Sequence, residues 1–527
     1  MGEVNGSQTG INGGGSGERT PRVLARERLL LAVLAVLGIC GLLFFCEYWF
    51  APGHRRSPFL FALLTFAVLW QPARNVYNWW VYLWAHNPET QPRREQLANI
   101  DVMEPMDVIT TAMPGEPFPM FKRTLKAITQ LKNLNRAFLL DGGNDDDLRA
   151  LCAELGVVHV DCRSVPGAKA GKVNYCLKEF SRSPIVLVID PDHIPKPDFL
   201  TRVAPWFSDP KVGFVQVVQA YHNLDENWVA WGAAEQTFGF YGPTLMGLSG
   251  LGLATAIGAN CTFRRAALDS VGGHAVHLAE DALTSIRLHA AGWTSVYLPW
   301  RGSEGLVPSD LGSFWKQQLK WATGMTNILF RQYPRLFRRL PLMARVHYLM
   351  ATTYYLCGVA AALNLFLPVV CLFLHVCALE VPLNQFLIHF APYLMMSGSI
   401  NLLVQRWYSH HDEPGIPWRS MLIEKATWYV HASGFWYGLL GLKVPYLPTP
   451  KDGAQQVPAR MMTPHWIVII SSLAAMAWVP LTYHRVEAGT ILMMLFASVN
   501  ALMLLPVAAL GLPRRLFARR IKVEYST

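Results

Sequence analysis

The sequence has little charge and no cysteine-pairing pattern. Asp, Glu, Lys and Arg make up only 16% of its 527 residues, while 52% are hydrophobic and the mean hydropathy is +0.22. This composition excludes a disordered protein and is atypical of a cytosolic enzyme. The nine cysteines contain no CxxC spacing. They indicate buried apolar side chains rather than disulfides or zinc ligands, and five stand in apolar runs. These five are Cys40, Cys46, Cys357, Cys371 and Cys377.

Basic residues are concentrated beside apolar stretches. The formal net charge is +10, from 46 Lys and Arg against 36 Asp and Glu. Arginines flank the first two apolar stretches, and a basic run follows the last one. This placement favours an anionic membrane surface, so we expect no nucleic-acid partner. The basic residues are Arg22, Arg26, Arg28, Arg93, Arg94, Arg514, Arg515, Arg519, Arg520 and Lys522.

Six apolar stretches are long enough, or nearly so, to cross a bilayer, which takes about 20 helical residues. The first is expected to be retained rather than cleaved as a signal peptide. With six spans, the basic clusters fall on one side of the membrane, which predicts a multi-pass protein of the plasma (inner) membrane with both termini in the cytosol. Arg55 and Arg56, in the first outside loop, oppose this orientation. The stretches are Leu29–Cys46, Ser57–Trp84, Val346–Leu379, Val381–Gln405, Met461–His484 and Ala488–Pro513.

The segment Ala426–Leu442 has two interpretations, a seventh span or a helix lying in the interface. Its aromatic residues favour the interfacial helix. The expected plan is a disordered tail (1–27), two transmembrane helices (28–84), a cytosolic α/β domain (85–313), interfacial amphipathic helices (314–345), two transmembrane helices (346–405), an interfacial helix with a loop (406–460), two transmembrane helices (461–513) and a basic cytosolic tail (514–527).

The polar middle of the chain alternates short apolar runs with helical segments. This pattern predicts a mainly parallel sheet flanked by helices, which binds ligands at the carboxyl ends of its strands. The predicted strands are Asp107–Ala112, Ala137–Leu140, Val157–Val160, Ile185–Ile189 and Val212–Val217. The predicted helices are Pro117–Leu131, Asp145–Leu155, Lys169–Phe180 and Pro197–Phe207.

Two carboxylates follow the most apolar of these strands. Asp190, Asp192 and His193 offer oxygen and nitrogen ligands suited to Mg²⁺ or Mn²⁺ bridging a diphosphate. The alternative is a simple Asp-Pro turn, with Asp198 capping the next helix. The position after a buried strand favours the metal site.

Other strand ends carry candidate nucleotide contacts. Thr111, at the end of the first strand, and Glu116, just after it, suit a base or ribose, or only a helix cap. Asp141 begins a tight Gly-Gly turn after the second strand and suits a nucleotide contact. Lys169 opens a helix as a cation for a phosphate.

Two later segments suit the chemistry of group transfer. Glu280 and Asp281 begin a helix, where acidic residues are usually caps. Gln317, Lys320 and Trp321 share one face of an amphipathic helix, which also fits a membrane-surface helix.

At these residues the chain resembles membrane-embedded family-2 glycosyltransferases of the cellulose synthase and hyaluronan synthase type. Asp190–Leu200 resembles their DxD segment, Val215–Asn223 their Gln-rich strand, Glu280–Asp281 their TED motif and Gln317–Trp321 their QxxRW motif. Tyr446–Asp452, with Thr449 and Lys451, resembles the FxVTxK gating loop. The chain departs from the family pattern at Leu140, Ala279 and Lys320, and at Gly258–Cys261, which stands in place of a Phe-Phe-Cys-Gly-Ser segment.

The resemblance implies a GT-A fold inserted between transmembrane helices. It implies a processive, inverting glycosyltransferase that polymerises a nucleotide sugar, UDP-glucose above all, into a β-glucan and moves it across the membrane. Asp281 would be the general base, and Thr449 and Lys451 would contact the diphosphate. The partners would be the UDP-sugar, the growing polysaccharide, the lipid bilayer and accessory export subunits. The alternatives are single transfer to a lipid acceptor, a hyaluronan- or chitin-type synthase, and a non-enzymatic sensor or transporter of nucleotide sugars.

Overall fold

Two apolar helices begin the described part of the chain, α1 (Ala25–Trp49) and α2 (Pro58–Tyr82). The structure is a computed structural model and describes residues 21–90, 105–376, 378–408, 415–442, 444 and 459–511. Each helix has 25 residues. At 1.5 Å per residue, each is about 37 Å long, which is enough to cross a hydrocarbon core of about 30 Å.

A seven-stranded mixed sheet forms the centre of the polar middle region. Its order is β3-β2-β1-β4-β8-β6-β9, and a small sheet has the order β5-β10-β7. In the large sheet, β8 runs antiparallel to both its neighbours and the other pairings are parallel, so the expected mainly parallel sheet is confirmed. The strands are β1 (Met106–Ala112), β2 (Leu134–Asp141), β3 (Val158–Asp161), β4 (Ile185–Val188), β5 (Ile194–Pro195), β6 (Val212–Val217), β7 (Ala220–Tyr221), β8 (Cys261–Arg264), β9 (Thr294–Leu298) and β10 (Ser303–Gly305).

Both faces of the large sheet are buried, which explains why its strands are continuous apolar runs. Successive side chains of a strand point to opposite faces. Val108 and Leu139 lie in one hydrophobic cluster, while their neighbours Ile109 and Phe138 lie in the cluster on the other side. All four side chains are at most 1% exposed.

Helices cover the sheet where the sequence predicts them, with one difference. The helix expected over Pro197–Phe207 ends as an α-helix at Val203 and continues as a 3₁₀ turn, Ala204–Ser208. Pro205 explains the change, because proline has no N–H for the next α-helical hydrogen bond. The helices of this region are α3 (Phe118–Thr129), α4 (Asp146–Leu155), α5 (Ala168–Glu179), α6 (Phe199–Val203), α7 (Trp228–Gly239), α8 (Leu245–Gly250), α9 (Arg265–Ser270) and α10 (Glu280–Ala290).

Helix α8 joins this region to the N-terminal helices through backbone contact. A Cβ at Gly247 would lie 2.2 Å from the carbonyl oxygen of Val81, and a Cβ at Gly250 would lie 2.3 Å from that of Trp84. A π-helical turn, Phe240–Thr244, separates α7 from α8. Only glycine permits so close an approach of two backbones.

The C-terminal half is helical. Six helical stretches of the described chain are long and apolar enough to span a membrane, as expected: Ala25–Trp49, Pro58–Tyr82, Leu342–Leu374, Leu383–Trp407, Ala459–Thr482 and Ala488–Ala509. The helices of this half are α11 (Leu311–Asn327), α12 (Tyr333–Leu336), α13 (Leu342–Thr352), α14 (Cys357–Leu374), α15 (Leu383–Val404), α16 (Trp418–Ala426), α17 (Trp428–Leu440), α18 (Thr463–Thr482) and α19 (Ala488–Ala509).

Helix α17 covers most of the segment that had two interpretations. It has 13 residues, and so it is about 20 Å long, too short to cross the hydrocarbon core. It packs along α11, where a Cβ at Gly434 would lie 2.4 Å from the Cβ of Ala322. The segment is not among the six helical stretches that are long and apolar enough to span a membrane, and its interfacial placement stays a prediction.

Candidate active site

A cleft of about 500 Å³ lies at the carboxyl ends of β1 and β4. This is the sheet edge at which α/β folds bind ligands. The cleft brings together eleven of the fourteen site residues that the sequence predicts. They are Thr111, Glu116, Lys169, Asp190, Asp192, His193, Glu280, Asp281, Gln317, Lys320 and Trp321.

The Asp-x-Asp pair follows β4 directly. One ligand atom from each of Asp190, Asp192 and His193 lies within 4.8 Å of the others. The Nδ1 atom of His193 is buried and has no hydrogen-bond partner among the described residues. Two carboxylates and an imidazole are a donor set that fits Mg²⁺ or Mn²⁺.

Lys169 links this cluster to the opposite wall of the cleft. Its Nζ donates to the Asp190 carboxylate and to the carbonyl oxygen of Gly258. Burial lowers the pKa of Lys169, but the carboxylates of Asp190 and Glu280 outweigh that effect and raise the pKa above its ordinary value. Lys169 is therefore a permanent positive charge in the cleft.

Asp281, in the first turn of α10, is half-buried beside Glu280. Burial and the neighbouring Glu280 carboxylate raise the pKa of Asp281 to about 7. Its Oδ1 accepts from the backbone N–H of Ala282 at 2.7 Å. A carboxylate with a pKa near the operating pH is suited to general-base chemistry.

Gly258 faces Asp281 from the loop before β8. Its φ is +81°, and a Cβ on it would lie 3.2 Å from the Asp281 Oδ2 atom. The buried Gln216 side chain holds this loop, because its Oε1 accepts from Ile257 and its Nε2 donates to the carbonyl oxygen of Ala259. The loop is thus fixed from the sheet side.

Helix α11 presents Gln317, Lys320 and Trp321 to the cleft, as its spacing predicts. Gln318, the neighbour of Gln317 in sequence, points away and its Oε1 lies 3.0 Å from Nε2 of His431 in α17. The side of α11 away from the cleft therefore packs against α17, and the cleft side stays open to a ligand.

The start of α10 is pressed against α11. A Cβ at Gly324 would lie 2.8 Å from the Cβ of Ala279, so these two small residues are in direct contact. His277 adds a second link, because its Nδ1 accepts from the N–H of Ala279 and its Nε2 lies 3.1 Å from Oδ1 of Asn327.

Of the residues predicted to contact the nucleotide from the first two strand ends, two line the cleft and one does not. Thr111 and Glu116 line the cleft, and Oε2 of Glu116 accepts from the N–H of Met113 at 2.9 Å. Asp141 does not line it. Its carboxylate is 1% exposed and accepts from the N–H groups of Gly143 and Asp145, both at 2.7 Å.

Both carboxylate oxygens of Asp141 thus accept hydrogen bonds within the turn that follows it. Its Oδ2 also lies 3.0 Å from Nε2 of His159. Burial raises its pKa, but these hydrogen bonds outweigh burial and lower the pKa below the ordinary value. Asp141 is not among the residues that line the cleft, and its expected nucleotide contact stays a prediction. Thr449 and Lys451, expected in a loop over the donor, lie outside the described residues.

The cleft also contains residues that the sequence reasoning did not single out. They are Tyr221, Tyr241 and His277. Tyr241 is carried by the π-helical turn before α8, whose Gly242 has non-helical dihedral angles. The Gly-Pro pair at 242–243 was the available signal, since π-turns inside helices mark functional sites.

A mixed sheet flanked by helices, with an Asp-x-Asp pair after a central strand, fits the expected GT-A fold. Residues 185–397 match the family described as Glycosyl transferase family group 2. Within these residues the chain is similar to family 2 glycosyltransferases, as expected, and the expected GT-A-like sheet flanked by helices is confirmed.

The similar curated proteins are cellulose synthases. The chain is 34% identical over 199 residues to the UDP-forming cellulose synthase catalytic subunit of Xanthomonas axonopodis pv. citri, covering 36% of this chain and 27% of that protein. It is 33% identical over 215 residues to that of Pseudomonas fluorescens, covering 39% and 28%. The similarity thus spans little more than a quarter of these relatives.

Two solved structures align with parts of the chain. A mannosyltransferase from Pyrobaculum calidifontis, in complex with GDP-Man and Mn²⁺, aligns with a TM-score of 0.48 at 17% identity, covering 73% of this chain and all of that one. Glucosyl-3-phosphoglycerate synthase from Mycobacterium tuberculosis, in complex with Mn²⁺, UDP and glucosyl-3-phosphoglycerate, aligns with a TM-score of 0.27 at 20% identity, covering 37% and 70%.

Proposed function

We propose that this protein is a processive, inverting glycosyltransferase of the plasma membrane that polymerises UDP-glucose into a β-glucan on the cytosolic side and moves the product across the bilayer. The observation that carries the proposal is the shared cleft. Asp190, Asp281 and Trp321 line it together. The helix that bears Trp321 packs against α17, next to the candidate spans.

The donor half of the cleft is the side of β1 and β4. Thr111 and Glu116 bind the nucleoside, and Asp190, Asp192 and His193 would hold a divalent cation. When bound there, a cation would supply positive charge for the donor diphosphate and the departing UDP. Lys169 and Lys320 supply further positive charge, which matters most when the leaving group becomes more negative in the transition state.

Asp281 is the general base. It removes the proton from the acceptor hydroxyl, whose oxygen attacks the anomeric carbon while the bond from that carbon to the UDP oxygen breaks. A single displacement inverts the anomeric configuration, so one carboxylate suffices. The raised pKa of Asp281, about 7, supports this role because the group both accepts and releases a proton near neutral pH.

Aromatic residues hold the acceptor. Trp321 stacks on the apolar face of the terminal sugar, and Tyr221 and Tyr241 form the wall beside it. Thr449 and Lys451, which lie outside the described residues, would contact the diphosphate and exclude water during transfer. The growing chain leaves between the C-terminal helices, and accessory export subunits receive it on the far side.

Incubation of the purified full chain with UDP-[¹³C]glucose and Mn²⁺ tests this proposal. The expected product is a ladder of glucan oligomers and polymer, whose linkage is read by methylation analysis and mass spectrometry. A single labelled sugar on a lipid would instead identify a single-transfer enzyme. Incorporation only from other UDP-sugars would identify a hyaluronan- or chitin-type synthase. Absence of UDP release from every donor would exclude an enzyme.

A further inference from the structure

His193 is enclosed between the Asp-x-Asp pair and the strand that follows β6. Its side chain is 1% exposed. Its Nδ1 lies 3.6 Å from Oδ1 of Asp192, and its Nε2 lies 2.9 Å from the amide of Gln219. The backbone at Gly305 fixes the ring plane, because a Cβ there would lie 2.3 Å from Cε1 of His193.

Two buried polar atoms in this contact have no hydrogen-bond partner among the described residues, Nδ1 of His193 and Oε1 of Gln219. As placed, the Gln219 Nε2 donates to Nε2 of His193, which puts the ring proton on Nδ1. A half-turn of the amide exchanges its oxygen and nitrogen without moving another atom. The amide oxygen then accepts the Nε2–H of His193, and Nδ1 carries a lone pair.

We propose that Gln219 is a positioning residue for the metal site: its amide oxygen accepts from Nε2 of His193 and so presents the Nδ1 lone pair to a divalent cation beside Asp192. An imidazole that ligates a metal commonly donates its other N–H to an oxygen acceptor, which fixes the tautomer. Gln219 is the side chain placed to do so here. The inference rests on the proposed metal site and not on the sugar or on polymerisation.

Mn²⁺ binding by the full chain in nanodiscs, without any sugar nucleotide, tests the assignment. The amplitude of the free Mn²⁺ EPR signal gives the Kd, and electron spin-echo modulation detects a directly bound imidazole ¹⁴N. Gln219→Leu removes the acceptor at similar volume, and Gln219→Glu keeps an acceptor and removes the donor. Gln130→Leu, at an exposed helix end, is the matched control.

The wild type and Gln219→Glu should bind Mn²⁺ with Kd values within about threefold of each other and show the imidazole ¹⁴N coupling. Gln219→Leu should weaken binding by about 10- to 100-fold, the usual effect of losing such an outer partner, and lose the coupling. The control should match the wild type.

Three results would overturn the inference: no imidazole coupling in the wild type, unchanged binding and coupling in Gln219→Leu, or lost coupling in Gln219→Glu. The last shows that Gln219 acts as a donor, and it decides the question even when the leucine variant does not fold. Because no donor sugar is present, a failure of the proposed polymerase activity leaves these readouts untouched.

Discussion

Gly324 lies against Ala279, with its hypothetical Cβ only 2.8 Å from the alanine Cβ. Ala279 immediately precedes Glu280 and Asp281, and Gly324 lies about one turn after Lys320 and Trp321. The contact therefore sets the distance between the proposed base and the proposed acceptor-binding face.

Gly324→Ala should separate these two elements. Adding a methyl group to so tight a contact costs about 1–3 kcal/mol of stability, and misplacing reacting groups by about 1 Å lowers the rate by up to about 100-fold. We expect a lower unfolding temperature and a fall in kcat of at least about tenfold. Gly398→Ala is the control, because nothing lies within 4 Å of a Cβ at that helical position. Equal kcat for both variants would contradict the positioning role.

Asp281→Asn should abolish most activity while leaving the donor site intact. Loss of a general base costs about 10²- to 10⁴-fold in rate. Steady-state UDP release and equilibrium binding of UDP, measured side by side, check this expectation. Near-normal polymer synthesis by the variant would remove the base assignment.

The pH profile of the wild type should show the titration of Asp281. Because the pKa of Asp281 is raised to about 7, the carboxylate is protonated below that pH and accepts no proton from the acceptor. The rate should therefore fall about tenfold per pH unit on the acid side and level off above the pKa. Initial rates between pH 5 and 9 test this. A flat profile down to pH 5 would argue against Asp281 as the base.

Glu280→Gln should move the acid side of the pH–rate profile to lower pH. Burial, the larger cause of the raised pKa of Asp281, persists in the variant, while the repulsion from Glu280 is lost. The apparent pKa on the acid side of the profile should thus fall without reaching the ordinary aspartate value near 4. The same series of initial rates measures the shift, with Glu226→Gln, on the cleft rim, as the control.

Trp321→Ala should shorten the product more than it slows UDP release. Loss of an aromatic stacking surface weakens the hold on the acceptor, and about 0.5–1.5 kcal/mol is typical of such ring contacts. Trp321→Phe should retain most of the polymer length. Trp436→Ala, which removes a tryptophan 52% exposed on α17, is the matched control. Product sizes on a gel, at equal UDP release, distinguish these outcomes.

The sheet and the spans were predictable because their patterns are local. Val108, Ile109 and the Ile185–Val188 run are apolar without interruption. Such continuous apolar runs are typical of strands in a sheet that is buried on both faces. The antiparallel strand Cys261–Arg264 was not predicted, because it has four residues and its pairing with β4 and β6 depends on contacts distant in sequence.

The cleft residues on strand ends and on one helical face could also be found from the sequence, since a strand end or a 3.6-residue period fixes their direction. Asp141 shows the limit of that argument. It ends a strand like Asp190, but the turn after it folds back and the N–H groups of Gly143 and Asp145 take its carboxylate. The Gln219–His193 contact could not be predicted from the sequence either, because it joins two residues 26 positions apart.

The backbone contact between Gly247 and Val81 has a consequence for any effort to simplify the molecule. Tyr241 and Gly258 flank α8 in the chain, so the stretch that reaches the N-terminal helices is the same stretch that builds one side of the cleft. A water-soluble fragment made from the middle of the chain would lack the N-terminal helices against which α8 packs. We therefore expect that the cleft keeps its structure only in a chain that retains the N-terminal helices.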